Sequence, residues 1–148
     1  MNRYPKVVSP EVSVRRVELA RVLLIHGDLA SRLALKTILE AGGYSVDAVS
    51  TPMEALARLD ERRYELVLSD SAVGSRSAAR NLLAYARVKE YQPATALITS
   101  DAPRGRDFWR TAQQFAVYTE NLPNLLGKVA ELIGRRASRR HRRLNRVR

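Results

Sequence analysis

The chain has 148 residues and 45% hydrophobic content, which suffices for one domain with a single core and argues against intrinsic disorder. It contains no cysteine, which excludes disulfides, thiol catalysis and cysteine-based metal sites. The net charge of +11 is unevenly distributed, because residues 134–148 hold eight arginines and no acidic residue, whereas residues 21–133 carry a net charge of +1. Any anion-binding function therefore concerns the arginine-rich tail.

The sequence also argues against secretion, membrane insertion and common enzyme classes. Residues 1–16 lack the apolar run of a signal peptide, and no stretch reaches transmembrane length. Glycine-rich nucleotide loops and zinc-hydrolase motifs are absent, and neither His26 nor His141 has a credible nucleophile partner. We expect a cytoplasmic protein that is neither membrane-associated nor an enzyme.

Five short apolar runs predict five β-strands. Most are continuous rather than alternating, which is typical of strands covered on both faces of a sheet. They lie at 22–25, 46–49, 66–68, 96–98 and 115–117.

Helical patterns separate these runs. The first predicted helix starts at about residue 30 and ends at the glycine pair 42–43. Its spacing predicts an inward face made of Ala30, Leu33, Ala34, Thr37, Ile38 and Ala41. The second begins with a capping box, in which Thr51 caps, Pro52 occupies the first turn and Glu54 closes the box.

Three further helices complete the pattern. The third spans roughly 76–91, with Ala79, Leu82, Leu83 and Ala86 inward, and a weaker fourth lies near 106–113. The fifth follows Pro123 and has one apolar stripe, formed by Leu122, Leu125, Leu126, Val129, Ala130 and Ile133.

The strict alternation of strand and helix predicts an α/β fold with a parallel sheet and helices on both faces. In open sheets of this kind, functional residues gather at the carboxyl ends of the strands. Those ends are 26–28, 50–51, 69–70, 99–100 and 118–119.

The first three strands with their helices, RVLLIHGDLASRLALKTILEAGGYSVDAVSTPMEALARLDERRYELVLSD, resemble the receiver domains of bacterial response regulators. The passage ATALITSDA is similar to the family's fourth strand with its switch hydroxyl. The resemblance covers 21–133 and implies a doubly wound (βα)5, flavodoxin-like domain with strand order 2-1-3-4-5. Residues 1–20 are then an N-terminal extension and 134–148 an arginine-rich C-terminal tail.

The resemblance also assigns site positions. It places the family's phospho-acceptor at Asp70 and its switch residues at Thr99 and Phe115. The family's Mg²⁺-binding acidic pair falls on His26 and Gly27, and its phosphate-binding lysine falls on Tyr118. Thr119 stands where the family has a cis-proline, and Gly74 where a proline commonly follows the acceptor.

These substitutions predict the loss of Mg²⁺ and of phosphorylation. Mg²⁺ requires hard oxygen ligands, whereas Gly27 offers no ligand and His26 offers nitrogen. Asp28 is one residue late, so its carboxylate is expected to turn away from the cluster. We therefore expect a pseudo-receiver with no cofactor, in which Asp70 is an inherited, partly buried acid that can pair with His26.

The aromatic residues Phe108 and Trp109 mark a candidate partner face. Neighbouring residues on a helix lie about 100° apart, so both cannot face the core. The resemblance implies that the fourth helix, fifth strand and fifth helix form the face for protein partners or for a homodimer.

The tail is a second candidate interaction segment. If it continued the fifth helix, its arginines would cover an arc of roughly 160° suited to a nucleic-acid backbone or an acidic protein surface. These are Arg135, Arg136, Arg139, Arg140, Arg142, Arg143 and Arg146. Because like charges four residues apart oppose a helix, we expect disorder until an anion binds, with a merely solvating tail as the alternative.

Three hypotheses follow. The first is a stand-alone receiver-like adaptor in signal transduction that acts through protein contacts independently of phosphorylation. The second is a nucleic-acid-associated regulator that holds DNA or RNA through its tail. The third keeps Asp70 as a working acceptor in a two-component phosphorelay.

Overall fold

The computed structural model describes residues 19–99, 116–118 and 124–147. All five predicted strands are present. They are β1 (Arg21–Ile25), β2 (Ser45–Val49), β3 (Leu66–Asp70), β4 (Ala94–Thr99) and β5 (Ala116–Tyr118).

The strands form one parallel sheet with spatial order β2-β1-β3-β4-β5, as the resemblance implied. Ile25 is paired with Val49 on β2 and with Ser69 on β3. Asp70 is paired with Ile98, and β5 adds to the edge of β4. This register aligns the carboxyl ends of β1, β3 and β4 along one edge of the sheet.

Among the described residues, four helices cover the two faces of this sheet. They are α1 (Leu29–Ala41), α2 (Pro52–Glu61), α3 (Arg76–Arg87) and α4 (Leu125–Val147), the last of which corresponds to the fifth predicted helix. Two apolar clusters fill the space between helices and sheet, one beneath α1 and α4 and the other beneath α2 and α3. Alternate residues of β1, β3 and β4 enter opposite clusters, which explains why these strand sequences are continuously apolar.

The capping box and the inward face of α3 are confirmed. Thr51 Oγ1 accepts a hydrogen bond from the backbone N–H of Glu54 at 3.2 Å, and the Glu54 carboxylate accepts one from Thr51 Oγ1 at 3.1 Å. The four predicted inward residues of α3 are all buried, although this helix ends at Arg87 rather than near residue 91.

The predicted inward face of α1 was wrong. Leu35 and Leu39 are the buried residues, whereas Leu33 is 54% exposed and Leu29 is 59% exposed. Ala30, Ala34, Thr37 and Ala41 are also exposed, and Ile38 is half-buried. Apolar residues lie around most of this helix, so two stripes satisfied the same spacing and the periodicity alone did not choose between them.

The expectation of a disordered tail was also wrong. Helix α4 runs without interruption through the predicted boundary at 133/134 to Val147. Its first half is nucleated by packing, since Leu125, Val129 and Leu132 are buried in the core. Extending an existing helix is much less costly than starting one, so the helix continues into the arginine-rich segment despite charge repulsion.

Several predicted features lie outside the described residues. They are the predicted fourth helix at 106–113, Phe108, Trp109, Phe115, Thr119 and most of the N-terminal extension. Among the described helices, none is both long enough and apolar enough to cross a membrane.

Candidate functional site

The predicted site positions do converge on one edge of the sheet. His26 directly follows β1, and its backbone N–H donates to the carbonyl of Val49 at 3.1 Å. Asp70 ends β3 next to Ile98, and Thr99 ends β4 in register with Tyr118. The positions assigned to the acidic pair, acceptor, switch hydroxyl and lysine therefore share one end of the domain.

The turn after β1 is closed by its own side chains. The backbone N–H of Asp28 donates to Nδ1 of His26 at 3.1 Å, so this ring nitrogen is occupied as a hydrogen-bond acceptor. The Asp28 carboxylate accepts a hydrogen bond from the N–H of Ser31 at 2.9 Å and caps α1. Hydrogen bonds from Ser31, first from its side chain and then from its backbone N–H, hold the pKa of Asp28 below its ordinary value.

Asp28 and Arg32 are structural elements of this turn that the sequence interpretation missed. The guanidinium of Arg32 donates to the carbonyl oxygen of His26 at 2.8 Å and holds the turn against α1. Two sequence signals could have revealed them: an aspartate directly before a helix, and an Asp–Arg pair spaced i, i+4. Asp28 directly follows the two positions assigned to the family's acidic pair, and its carboxylate is used to cap α1.

Asp70 is half-buried and starts a tight turn. Its carbonyl oxygen accepts from the N–H of Val73 at 3.2 Å, and Ser71 N–H donates to Ile98 at 3.0 Å. In the part of the chain that the structure describes, no hydrogen bond or ion pair joins the Asp70 carboxylate to His26. The suggested pairing of these two side chains is therefore not observed.

The loop after Asp70 has Gly74 at the position where receiver domains commonly have a proline. Gly74 has a φ of +68°, in the left-handed region that favours glycine. Proline fixes φ near −65°, so it does not fit this backbone. The glycine here is thus required by the local conformation.

The carboxylate of Glu54, in the first turn of α2, is also held by hydrogen bonds to neighbouring residues. Glu54 accepts hydrogen bonds from the hydroxyl of Ser50 at 2.8 Å and from its backbone N–H at 3.2 Å. These bonds, with a smaller contribution from Thr51, place the pKa of Glu54 below its ordinary value. Glu54 anchors the end of β2 to the start of α2.

These observations test whether the residues present fit the Mg²⁺ that receiver domains use. They do not fit. Gly27 has no ligand atom, the Nδ1 of His26 is hydrogen-bonded, and the carboxylates of Asp28 and Glu54 are held by backbone and hydroxyl groups. Among the described residues, no three His, Asp or Glu side chains form a cluster able to hold a metal ion.

Gly27 is not demanded by the backbone. A Cβ added there would meet no atom within 4 Å, so a larger residue has room at this position. The absence of a carboxylate at position 27 is therefore a chemical feature of this chain and not a consequence of steric restriction.

Comparisons with known proteins show which fold this architecture matches. No family model and no curated protein matches the sequence. Solved structures do match, among them a CheY-like receiver domain from Methanospirillum hungatei, at 25% identity and a TM-score of 0.68 over 82% of this chain and 99% of that one.

Two further matches are informative. A chain of the complex between histidine kinase ThkA and response regulator TrrA is 25% identical, with a TM-score of 0.63 over 77% of this chain and 98% of that one. The receiver domain of a sensor histidine kinase from Pseudomonas aeruginosa, which has a magnesium ion in its active-site cleft, is 20% identical. Its TM-score is 0.60 over 79% of this chain and 99% of that one. The described part of this chain therefore has the fold of the CheY-like response-regulator receiver domains.

Proposed function

We propose that this protein is a pseudo-receiver that acts in two-component-type signalling through protein contacts, without phosphorylation of Asp70. The observation that carries the proposal is the turn after β1. There, His26 and Gly27 replace the Mg²⁺-binding acidic pair, and Asp28 is used to cap α1. The fold of the family is retained, and the loss of its ion site is part of our proposal.

The physical argument concerns charge. Phosphoryl transfer builds negative charge on the equatorial oxygens of the phosphoryl group, which receiver domains neutralise with Mg²⁺ and a lysine. Here position 27 has no ligand, and position 118 is tyrosine instead of lysine. An acyl phosphate on Asp70 would lack both positive charges, so its formation is expected to be slow or absent.

The fold remains suited to protein contacts. The solved complex of ThkA with TrrA supports this, since its receiver-fold response regulator binds a protein partner. On this chain, Leu29 and Leu33 of α1 form an exposed apolar pair beside the site edge. We assign partner docking to this pair together with the face that includes Phe108 and Trp109.

Partner capture tests the adaptor role. Tagged wild-type protein, Asp70→Asn and Leu33→Glu are used as baits under identical conditions. We expect Asp70→Asn to retain the partners of the wild type and Leu33→Glu to lose them. Ala34→Glu, at an exposed position of the same helix about 100° around the axis from Leu33, introduces the same single charge and is the control. Loss of partners in Asp70→Asn would refute phosphorylation independence.

Beryllofluoride, which mimics a phosphoryl group on aspartate, tests the acceptor directly. Backbone NMR spectra are recorded with Mg²⁺ and increasing beryllofluoride. We expect no saturable shift at the amides of Asp70, Ser71 and Gly27. A saturable shift that disappears in Asp70→Asn would establish the phosphorelay alternative instead.

A further inference from the structure

The part of α4 beyond Arg136 forms a basic extension, residues 137–147. Arg136 contacts the carbonyls of residues 91 and 92, just before β4 begins, so the extension leaves the domain at the edge opposite to Asp70. It has eleven helical residues, about 16 Å of helix at 1.5 Å per residue. It contains five arginines and no acidic residue.

The five arginine positions share one side of the extension. They are Arg139, Arg140, Arg142, Arg143 and Arg146. At 100° per residue, these positions lie within an arc of about 160°. Since this segment is helical in the structure, the five arginine positions follow one side of the helix axis.

We propose that the basic extension binds double-stranded DNA, lying in the major groove with its arginine stripe against the phosphates. This inference is independent of the adaptor role and does not involve the site around Asp70. Guanidinium groups bind phosphate through paired hydrogen bonds, and such contacts supply most of the affinity in non-specific DNA binding. Binding is therefore expected to depend strongly on salt and weakly on sequence.

The shape of the extension favours DNA over duplex RNA. An α-helix is about 10–12 Å across, and the major groove of B-form DNA is about 12 Å wide. We therefore expect arginines at positions spread over this arc to face both phosphate walls of such a groove. The deep, narrow major groove of A-form RNA does not admit a helix.

The composition of the extension favours a phosphate backbone over an acidic protein surface. Binding energy at protein interfaces is concentrated in a few anchors, most often Trp, Tyr and Arg, that are buried together in well-packed pockets. The extension has no Phe, Trp or Tyr to pack beside its arginines in such a pocket, and Leu144 and Val147 are its two large aliphatic residues. Its binding energy must come from charge.

The domain edge from which the extension leaves does not add to the positive stripe. Among the described residues, a groove at this edge is lined by four acidic and four basic side chains, so its charges balance. DNA contact is thus expected to be confined to the extension. The number of arginines there then sets the salt dependence.

Fluorescence anisotropy with a labelled DNA duplex of about 20 base pairs and arbitrary sequence tests the proposal. Five phosphate contacts give a slope of about −4.5 in log affinity against log salt, or a loss of about 500-fold between about 50 mM and about 200 mM salt. In Arg139→Gln/Arg143→Gln, the loss should fall to about 40-fold and binding at low salt should weaken. Arg80→Gln, an exposed arginine on α3, is the matched control and should behave as wild type.

Three outcomes would overturn the proposal. The first is equal behaviour of the double variant and wild type. The second is a duplex RNA of equal length that binds as tightly as DNA. The third is poly-L-glutamate that displaces DNA at equal charge concentration, which would identify an acidic polypeptide as the ligand. None of these results bears on phosphorylation at Asp70.

Discussion

Replacing Arg136 tests the most specific contact that the structure reveals in the arginine-rich segment. Arg136 is 9% exposed, whereas its neighbour Arg135 is exposed and paired with Glu131 at 2.7 Å. Arg136 Nε donates to the carbonyl of Gln92 at 2.9 Å, and its Nη2 donates to that of Tyr91 at 2.6 Å. Although the sequence pattern placed it in the anion-binding stripe, Arg136 instead anchors α4 to the loop before β4.

The size of the effect follows from these two bonds. A hydrogen bond to a charged group contributes about 1.5–3 kcal/mol, so removing both is expected to lower the free energy of unfolding by about 3 kcal/mol after solvation of the freed carbonyls. The exposed pair of Arg135 contributes about 0.3–0.5 kcal/mol. Urea unfolding followed by far-UV circular dichroism measures both alanine variants.

The lysine variant adds a control on geometry. An ammonium group can replace one of the two bonds, so Arg136→Lys should recover part of the loss. Equal and small effects of Arg135→Ala and Arg136→Ala would refute the anchoring role of Arg136.

Three other outcomes are expected. Leu39→Ala should lower the free energy of unfolding in urea by about 2–5 kcal/mol because Leu39 is fully buried. Leu33→Ala, on the exposed side of α1, should lower it by under about 1 kcal/mol, and similar losses in both variants would refute the burial assignment of α1. Gly74→Ala should lower the free energy of unfolding by about 1–2 kcal/mol because Gly74 has a positive φ. Gly27→Ala should leave it unchanged or raise it by up to about 1 kcal/mol, because a Cβ has room there. A variant at Gly27 that is less stable than the variant at Gly74 would contradict the backbone geometry. The pKa of Glu54 is lowered in the folded protein, so its carboxylate contributes stability that is present at neutral pH and is lost as the pH falls through that pKa. Glu54→Gln should therefore lose less stability than wild type between about pH 7 and about pH 3. The same pH dependence in both proteins would count against the hydrogen bonds between Glu54 and Ser50.

The strands, their order and the site edge could be predicted from the sequence. Continuous apolar runs indicated strands buried on both faces, and the order of elements matched one known fold. The carboxyl ends then placed Asp70 and His26 together, as found. These features depend on the order of the elements and on the pattern of apolar residues, both of which can be read from a sequence.

Three other features depend on tertiary packing and were missed. On α1, the leucines at 33 and 39 fit equally good stripes, and contact with the sheet selects Leu39. In α4, the local rule of charge repulsion predicted disorder, but packing of Leu125 and Val129 against the sheet nucleates the helix. The role of Arg136 depends on carbonyls 44 and 45 residues away in the chain, which no local pattern contains.

The site could be predicted in position but not in its hydrogen bonds. The resemblance located the missing acidic pair, whereas the use of His26 as acceptor for Asp28 N–H became visible in the structure. The cap by Asp28 and the bond from Arg32 complete a turn that is closed on itself. The backbone and side-chain groups of this turn are thus hydrogen-bonded to one another.

Mg²⁺ titration followed by backbone NMR tests the central claim most directly. Wild-type protein is compared with His26→Asp/Gly27→Asp, a variant that restores the acidic pair at a position with room for a side chain. We expect saturable shifts around Asp70 in the double variant and none in the wild type over the same Mg²⁺ range. Saturable Mg²⁺ shifts at Asp70 and its neighbours in the wild type would contradict the pseudo-receiver assignment.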